Sequence, residues 1–143
     1  MAVQRTLCII KPDAVAANKH GDILQRILDA GFRILAVKSL QLGTREAQAF
    51  YAVHKSRPFY GELVDFMISG PVIVAALSAE DAVARYRTLI GATDPAKAEA
   101  GSIRKLYGQN LERNAIHGSD SPENGIRETA FFFSGSELGL SLD

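Results

Sequence analysis

Apolar positions along the chain fall into two patterns, continuous short runs and runs that recur every three or four residues. Arg5 to Lys11, with Leu7-Cys8-Ile9-Ile10 at its centre, predicts a mostly buried strand that Pro12 ends. Ile23, Leu24, Ile27 and Leu28 mark one face of a helix from about Gly21 to Ala30, closed by Gly31. Arg33 to Leu42 reads as a second strand. Thr44 is placed to cap a helix reaching about Tyr51, with Glu46 in its first turn. A further helix is expected from Tyr60 to Ile68, stopped by Ser69-Gly70-Pro71, and Val72 to Leu77 is a strongly apolar third strand.

Ser78 and Asp81 resemble a capping box that opens a helix to about Ile90, burying Ala82, Val83, Tyr86, Leu89 and Ile90. Gly91 to Gly101 lacks periodicity and reads as an ordered loop, a kind of segment that often carries function. Ser121-Pro122-Glu123 is a helix start, with serine as cap and proline in the first turn. Phe131 to Phe133 fits either the end of that helix or a strand. This order of elements predicts an α+β sandwich with helices on one face of the sheet.

Composition adds bounds. The 143 residues, 47% hydrophobic and 22% charged, suit one globular domain spanning 1–143. Sixteen basic and sixteen acidic residues cancel, so no overall field draws the protein to nucleic acid or membrane, and any anion site is local. Cys8 lies in an apolar run and reads as a buried structural thiol. No apolar stretch approaches ~20 residues and no secretory signature opens the chain, so a cytoplasmic protein is expected.

Candidate chemistry centres on Asn114-Ala-Ile-His-Gly-Ser-Asp-Ser121, which sets a histidine beside small polar residues. Histidine changes charge near neutral pH and also serves as a covalent nucleophile. The common glycine-rich nucleotide loops are absent, and His20, His54 and His117 lack zinc-ligand spacing. His117, Ser119 and Asp120 are too close in sequence to align as a hydrolytic triad. Lys11, Arg87 and Arg104 stand where the chain changes direction, with Thr93 in the long loop. Residue types alone leave two readings of this set, solvated surface groups or a cradle for a phosphorylated ligand.

Four blocks then stand out: Thr6-Leu-Cys-Ile-Ile-Lys-Pro-Asp-Ala14, Arg57-Pro-Phe-Tyr60, Gly91-Ala-Thr-Asp-Pro95 and the segment around His117. Together, in this order, they resemble nucleoside diphosphate kinase over nearly the whole chain, leaving only the tail 134–143 uninformative. The resemblance implies a ferredoxin-like four-stranded antiparallel sheet with helices packed on it, with His117 on the short last strand. It makes Ala130 to Phe133 a helix end. It further implies transfer of the terminal phosphate of a nucleoside triphosphate to a nucleoside diphosphate through phosphorylated His117.

The same resemblance assigns the supporting parts. Glu128 matches the carboxylate that orients His117, Tyr51 a residue beside the imidazole, and Ser119 a supporting position near it. Lys11, Arg87, Arg104 and Thr93 match phosphate ligands, and Asn114 with Lys11 matches contacts to the sugar hydroxyls. Phe59 matches the aromatic platform for the base, with Leu63 and Leu111 as apolar neighbours; stacking tolerates every base. Magnesium is implied as cofactor, held mainly by nucleotide phosphates rather than by protein ligands. A homotetramer or homohexamer is implied as well, with no membrane partner and no specific nucleic acid. Ser102, where threonine is frequent, and Lys105-Leu106 beside Arg104 depart from the commoner pattern. A module keeping the fold without turnover is disfavoured by the complete set of matched residues and the zero net charge.

Overall fold

The computed structural model describes residues 2–143. Strand β1 (Val3–Ile10) is buried along its second half without alternation, the signature of a central strand covered on both faces. Pro12 ends it and opens a short helix, α1 (Pro12–Ala16), since proline lacks the ladder donor but suits a first helical turn. Then follow α2 (His20–Asp29), β2 (Arg33–Leu40), α3 (Thr44–Phe50), α4 (Tyr60–Met67), β3 (Val72–Glu80) and α5 (Ala82–Ile90). The chain closes with α6 (Ile103–Tyr107), β4 (Ile116–His117) and α7 (Pro122–Phe132). The four strands form one sheet in the order β2-β3-β1-β4, every neighbour antiparallel.

Helices cover both faces of this sheet, not one. Cys8 and Ile10 point to a cluster with Ile23, Ile27, Tyr86 and Ile103, whereas Leu7 and Ile9 point to a second with Val64, Met67 and Phe133. The apolar run of β1 encodes this arrangement, because alternate residues feed opposite cores. Burial in the first cluster pushes the Cys8 thiol up to about 12, so it is inert at physiological pH.

Three local expectations change. Ser78 does not cap a helix: it pairs with Arg5 and Arg33 inside the sheet, and β3 runs on to Glu80. Asp81 then turns the chain with φ 51° and α5 starts at Ala82. Thr44 is the first helical residue rather than the cap, and the Glu46 carboxylate reaches back 2.9 Å to the amide of Gly43. The loop expected over Gly91 to Gly101 keeps its extent but is not without structure, because Pro95–Lys97 forms a single 3-10 turn inside it, and α6 follows from Ile103. Phe131 and Phe132 end α7, as the resemblance implied, and Phe133 is extended and buried.

Helix α7 lies hard against β1 because Gly125 has no side chain. A Cβ there would stand 2.0 Å from the Arg5 carbonyl oxygen. Gly125→Ala is therefore expected to lose about 1–3 kcal/mol of unfolding free energy, the usual cost of overpacking, in a urea titration.

Candidate active site

The last strand carries His117 to the edge of the sheet beside Ile9, and α7 brings Glu128 over it. Nε2 of His117 lies 2.8 Å from Oε1 of Glu128. Ser119 stands beneath, fully buried, and its hydroxyl donates to the same oxygen at 2.8 Å. That hydroxyl in turn accepts the amide of Leu7 at 3.0 Å, which leaves its hydrogen free to point only toward Glu128. Hydrogen bonds thus link the backbone of the central strand through Ser119 to the Glu128 carboxylate, the acceptor that the imidazole also meets. Because a carboxylate accepts, Nε2 carries the hydrogen and Nδ1 keeps its lone pair. The Tyr86 hydroxyl donates to the His117 carbonyl at 3.1 Å, and the Phe50 ring meets the imidazole edge-on at 5.5 Å.

His117 lines a cavity of about 390 Å³ with Tyr51, His54, Arg127, Glu128 and Phe131. Burial and the nearby Glu128 charge push the Tyr51 phenol well up, so it stays protonated, and its buried hydroxyl has no hydrogen-bond partner among the described residues. A second cavity, about 510 Å³, is lined by Lys11, Phe59, Leu63, Thr93, Leu111 and Asn114, together with Glu62 and Glu112. The two meet where the His54 and Phe59 rings stand 5.5 Å apart. Phe59 is 48% exposed and Leu111 62%, an unusual amount of bare apolar surface for two neighbours on one slot. Thr93 also borders a third depression, which Arg87 lines with Gly91 and Lys97.

Lys11, nearly buried, donates to Oδ1 of Asn114 at 2.8 Å, and the Asn114 amide donates to the Thr93 carbonyl at 3.1 Å. Burial, then the Arg104 charge, lowers Lys11 to about 8, against the opposing pull of Asp13 and Glu112. Arg104, only 7% exposed, holds the Gly91 and Ile116 carbonyls at 3.0 and 2.8 Å while its buried Nε has no partner among the described residues. Burial and the Arg87 charge bring it down to about 10, so it remains cationic at neutral pH. The expected residues thus divide among three cavities: Tyr51 and Glu128 share the first with His117, Lys11, Phe59, Leu63, Thr93, Leu111 and Asn114 line the second, and Arg87 with Thr93 lines the third, while Ser119 and Arg104 are buried behind the walls.

Two groups escaped the sequence reading. His54 shares the His117 cavity, and its position just before the Arg57-Pro-Phe-Tyr60 block was the available signal. Asp13 accepts the amide of Ala115 at 3.1 Å, a contact that no local pattern announces. Gly118 fits between these parts because a Cβ would meet the Tyr86 ring at 2.8 Å.

The chain matches the family model described as "Nucleoside diphosphate kinase" over residues 4–138. It is 54% identical over 138 residues to a nucleoside diphosphate kinase of Maricaulis maris, covering 96% of this chain and 99% of that protein. Its identity to that of Sorangium cellulosum is 55% over 141 residues, with 99% and 98% covered. Among solved structures, the Aquifex aeolicus nucleoside diphosphate kinase superposes with a TM-score of 0.93 at 48% identity, covering 95% of this chain and 99% of that one. A halophilic nucleoside diphosphate kinase from Halobacterium salinarum in complex with CDP gives a TM-score of 0.91 at 38% identity, covering 99% and 94%. The family model spans nearly the whole chain, and relatives 54% and 55% identical match it almost end to end: the chain belongs to the nucleoside diphosphate kinase family.

Proposed function

We propose that this chain exchanges terminal phosphates between nucleotides through a phosphate carried on Nδ1 of His117. The observation that carries this reading is the 2.8 Å contact between Nε2 and Glu128, which leaves Nδ1 as the nitrogen with a free lone pair on a cavity wall. Nδ1 attacks the outer phosphorus of a nucleoside triphosphate. The bond to the bridging oxygen breaks, and the diphosphate departs. A second diphosphate enters the same place and its terminal oxygen takes the phosphoryl group back. Donor and acceptor are nearly identical molecules, so one slot serves both in turn.

Charge is the main obstacle, because the moving group spreads negative charge over three oxygens. Fixed charges and donors meet it: Lys11, Arg87 and the Thr93 hydroxyl from cavity walls, and the buried Arg104 guanidinium through its charge. Glu128 offsets the positive charge that grows on the imidazole, with Ser119 holding the carboxylate still. Tyr51, protonated and lacking a partner, offers its hydroxyl beside the ring. Asn114 and Lys11 take the sugar hydroxyls, and the base stacks on Phe59 between Leu63 and Leu111. Such a slot discriminates bases weakly, because it grips π faces rather than edges.

Magnesium, when bound, neutralises phosphate charge and aligns the phosphates. Among the described residues no group of three or more His, Cys, Asp or Glu side chains is arranged to hold a metal. The cationic and neutral donors around His117 suit a cation that arrives on the nucleotide. No helix among the described residues is long and apolar enough to cross a membrane. The reading places the activity in the cytoplasm. It also includes a homotetramer or homohexamer, supported by the half-exposed Val37 on edge strand β2 and testable by light scattering.

Incubation with terminally radiolabelled ATP tests the function. Wild-type protein should take up an acid-labile label on His117 that chases onto added GDP or CDP. Label that stays put, or that persists in His117→Ala, contradicts the reading. Lys11 adds a pH signature. It is cationic below about 8 and loses its charge above, so the affinity of the free protein for nucleoside diphosphate should fall as pH rises from 7 to 9. Lys11→Met should flatten that limb in calorimetric titrations; an unchanged limb would assign it to another group.

A further inference from the structure

Two residues before His117, Ala115 has φ 75°, and the Ile116 amide donates to the Asn114 carbonyl at 2.9 Å. A hydrogen bond spanning three residues around a positive φ is the rare, strained form of the γ-turn. Alanine gains nothing from this backbone conformation, so the surroundings must impose it. Both restraints come from the start of α1. The Lys11 amide donates to the Ala115 carbonyl at 2.9 Å, and the Ala115 amide donates to Oδ2 of Asp13 at 3.1 Å. The peptide groups on either side of the strained residue are thus both clamped.

The turn decides where the site's side chains go. Asn114, before it, turns back to the Lys11 ammonium at 2.8 Å, while Ile116 and His117, after it, run into β4 against Ile10 and Ile9. Asp13 is an uneconomical residue for the fold alone. It is 8% exposed, its Oδ1 is buried with no hydrogen-bond partner among the described residues, and one backbone amide is what its other oxygen accepts. A buried polar oxygen without a hydrogen bond is a cost that the fold alone does not call for.

We propose that Asp13 is a positioning residue for phosphoryl transfer: it pins Ala115 in the left-handed γ-turn, which sets Asn114 and His117 on their two cavities together. The proposal rests on the reading that His117 takes the phosphate. Without the carboxylate, Ala115 relaxes toward negative φ and the entry to β4 rotates. A displacement of about 1 Å at a reacting group is enough to slow a reaction about 100-fold.

The test is the single-turnover rate at which His117 takes label from ATP, measured beside the melting temperature. Asp13→Ala should slow labelling about 10- to 100-fold. Adding Ala115→Gly to that variant should restore about fivefold or more, because glycine adopts positive φ freely. Asp13→Asn, which keeps an acceptor oxygen, should lie between Asp13→Ala and the parent. A merely structural carboxylate would lower the melting temperature without any recovery of rate from the glycine. Parent-like labelling of Asp13→Ala, or no gain from Ala115→Gly, overturns the proposal. Should Asp13→Ala fail to fold, Asp13→Asn is compared with and without Ala115→Gly: slower labelling that glycine restores supports the proposal, and equal rates overturn it. A parent protein that takes no label would sink the functional reading instead.

Discussion

His117→Ala is expected to abolish phosphate exchange, lowering kcat by about six orders of magnitude, the scale on which removal of a covalent nucleophile acts. That is about 8 kcal/mol of lost transition-state stabilisation. The reason is geometric as much as chemical. The slot lined by Lys11, Phe59, Leu63, Thr93, Leu111 and Asn114 has a volume of about 510 Å³, room for one nucleotide at a time. Donor and acceptor cannot sit side by side, so no direct transfer replaces the covalent route. His117 interacts through its side chain at one cavity wall and is only partly buried, so alanine leaves the core unchanged. The variant should fold, bind nucleoside diphosphate with close to parental affinity and exchange nothing. Coupled-enzyme assays together with calorimetry separate these outcomes; residual exchange above about one part in ten thousand of the parental rate would point to another phosphate carrier.

Glu128→Ala is expected to be the second most damaging change, slowing turnover by about 100- to 10,000-fold while leaving nucleotide affinity close to parental. Three effects act together. The imidazole loses the acceptor that keeps its hydrogen on Nε2, so the tautomer with a free Nδ1 is no longer favoured. The positive charge that develops on the ring during attack loses its counter-charge. The Ser119 hydroxyl, already accepting the Leu7 amide, loses the oxygen to which it donates. Glu128→Gln should be milder, since an amide oxygen still accepts from Nε2 when the amide is turned suitably. The split between kcat and KM is the diagnostic: a rise in KM with kcat intact would move Glu128 from the reacting ring to substrate binding.

Much of this site was legible because it sits on punctuation that the sequence displays openly. Pro12 after an apolar run, Ser121-Pro122 before α7 and the His-Gly-Ser-Asp segment mark strand end, helix start and nucleophile. Ser121 does accept the Asn124 amide at 3.1 Å, as its position suggested. Patterns misled where tertiary pairing outweighed local preference. Ser78 has the spacing of a cap, but its partners across the sheet, Arg5 and Arg33, hold it in β3. Helix α6 was overlooked because five residues are too short to establish a period, although Ser102 caps it by accepting the Lys105 amide. The placement of helices on both sheet faces follows from the unbroken apolar run Leu7 to Ile10 in the second half of β1, whose alternate residues must each meet a core.

What remained hidden depends on contacts between distant segments. The Leu7 amide meeting Ser119 joins positions 112 apart, and Asp13 meeting Ala115 joins positions 102 apart. Neither leaves a periodic trace, and a strained φ at an alanine has no composition signal at all. The resemblance implies Glu128 as the partner of His117, whereas the direction of the hydrogen on Ser119 follows from the Leu7 amide that its oxygen accepts.

The central claim, a phosphoryl group carried on Nδ1 of His117, is tested most directly by phosphorus and nitrogen NMR of protein labelled at its histidine rings and loaded with ATP. The account predicts one phosphate per chain, bonded to Nδ1 of His117, with Nε2 still protonated and the signal lost on adding GDP. A phosphate on Nε2, on another side chain, or one that GDP does not discharge would contradict it.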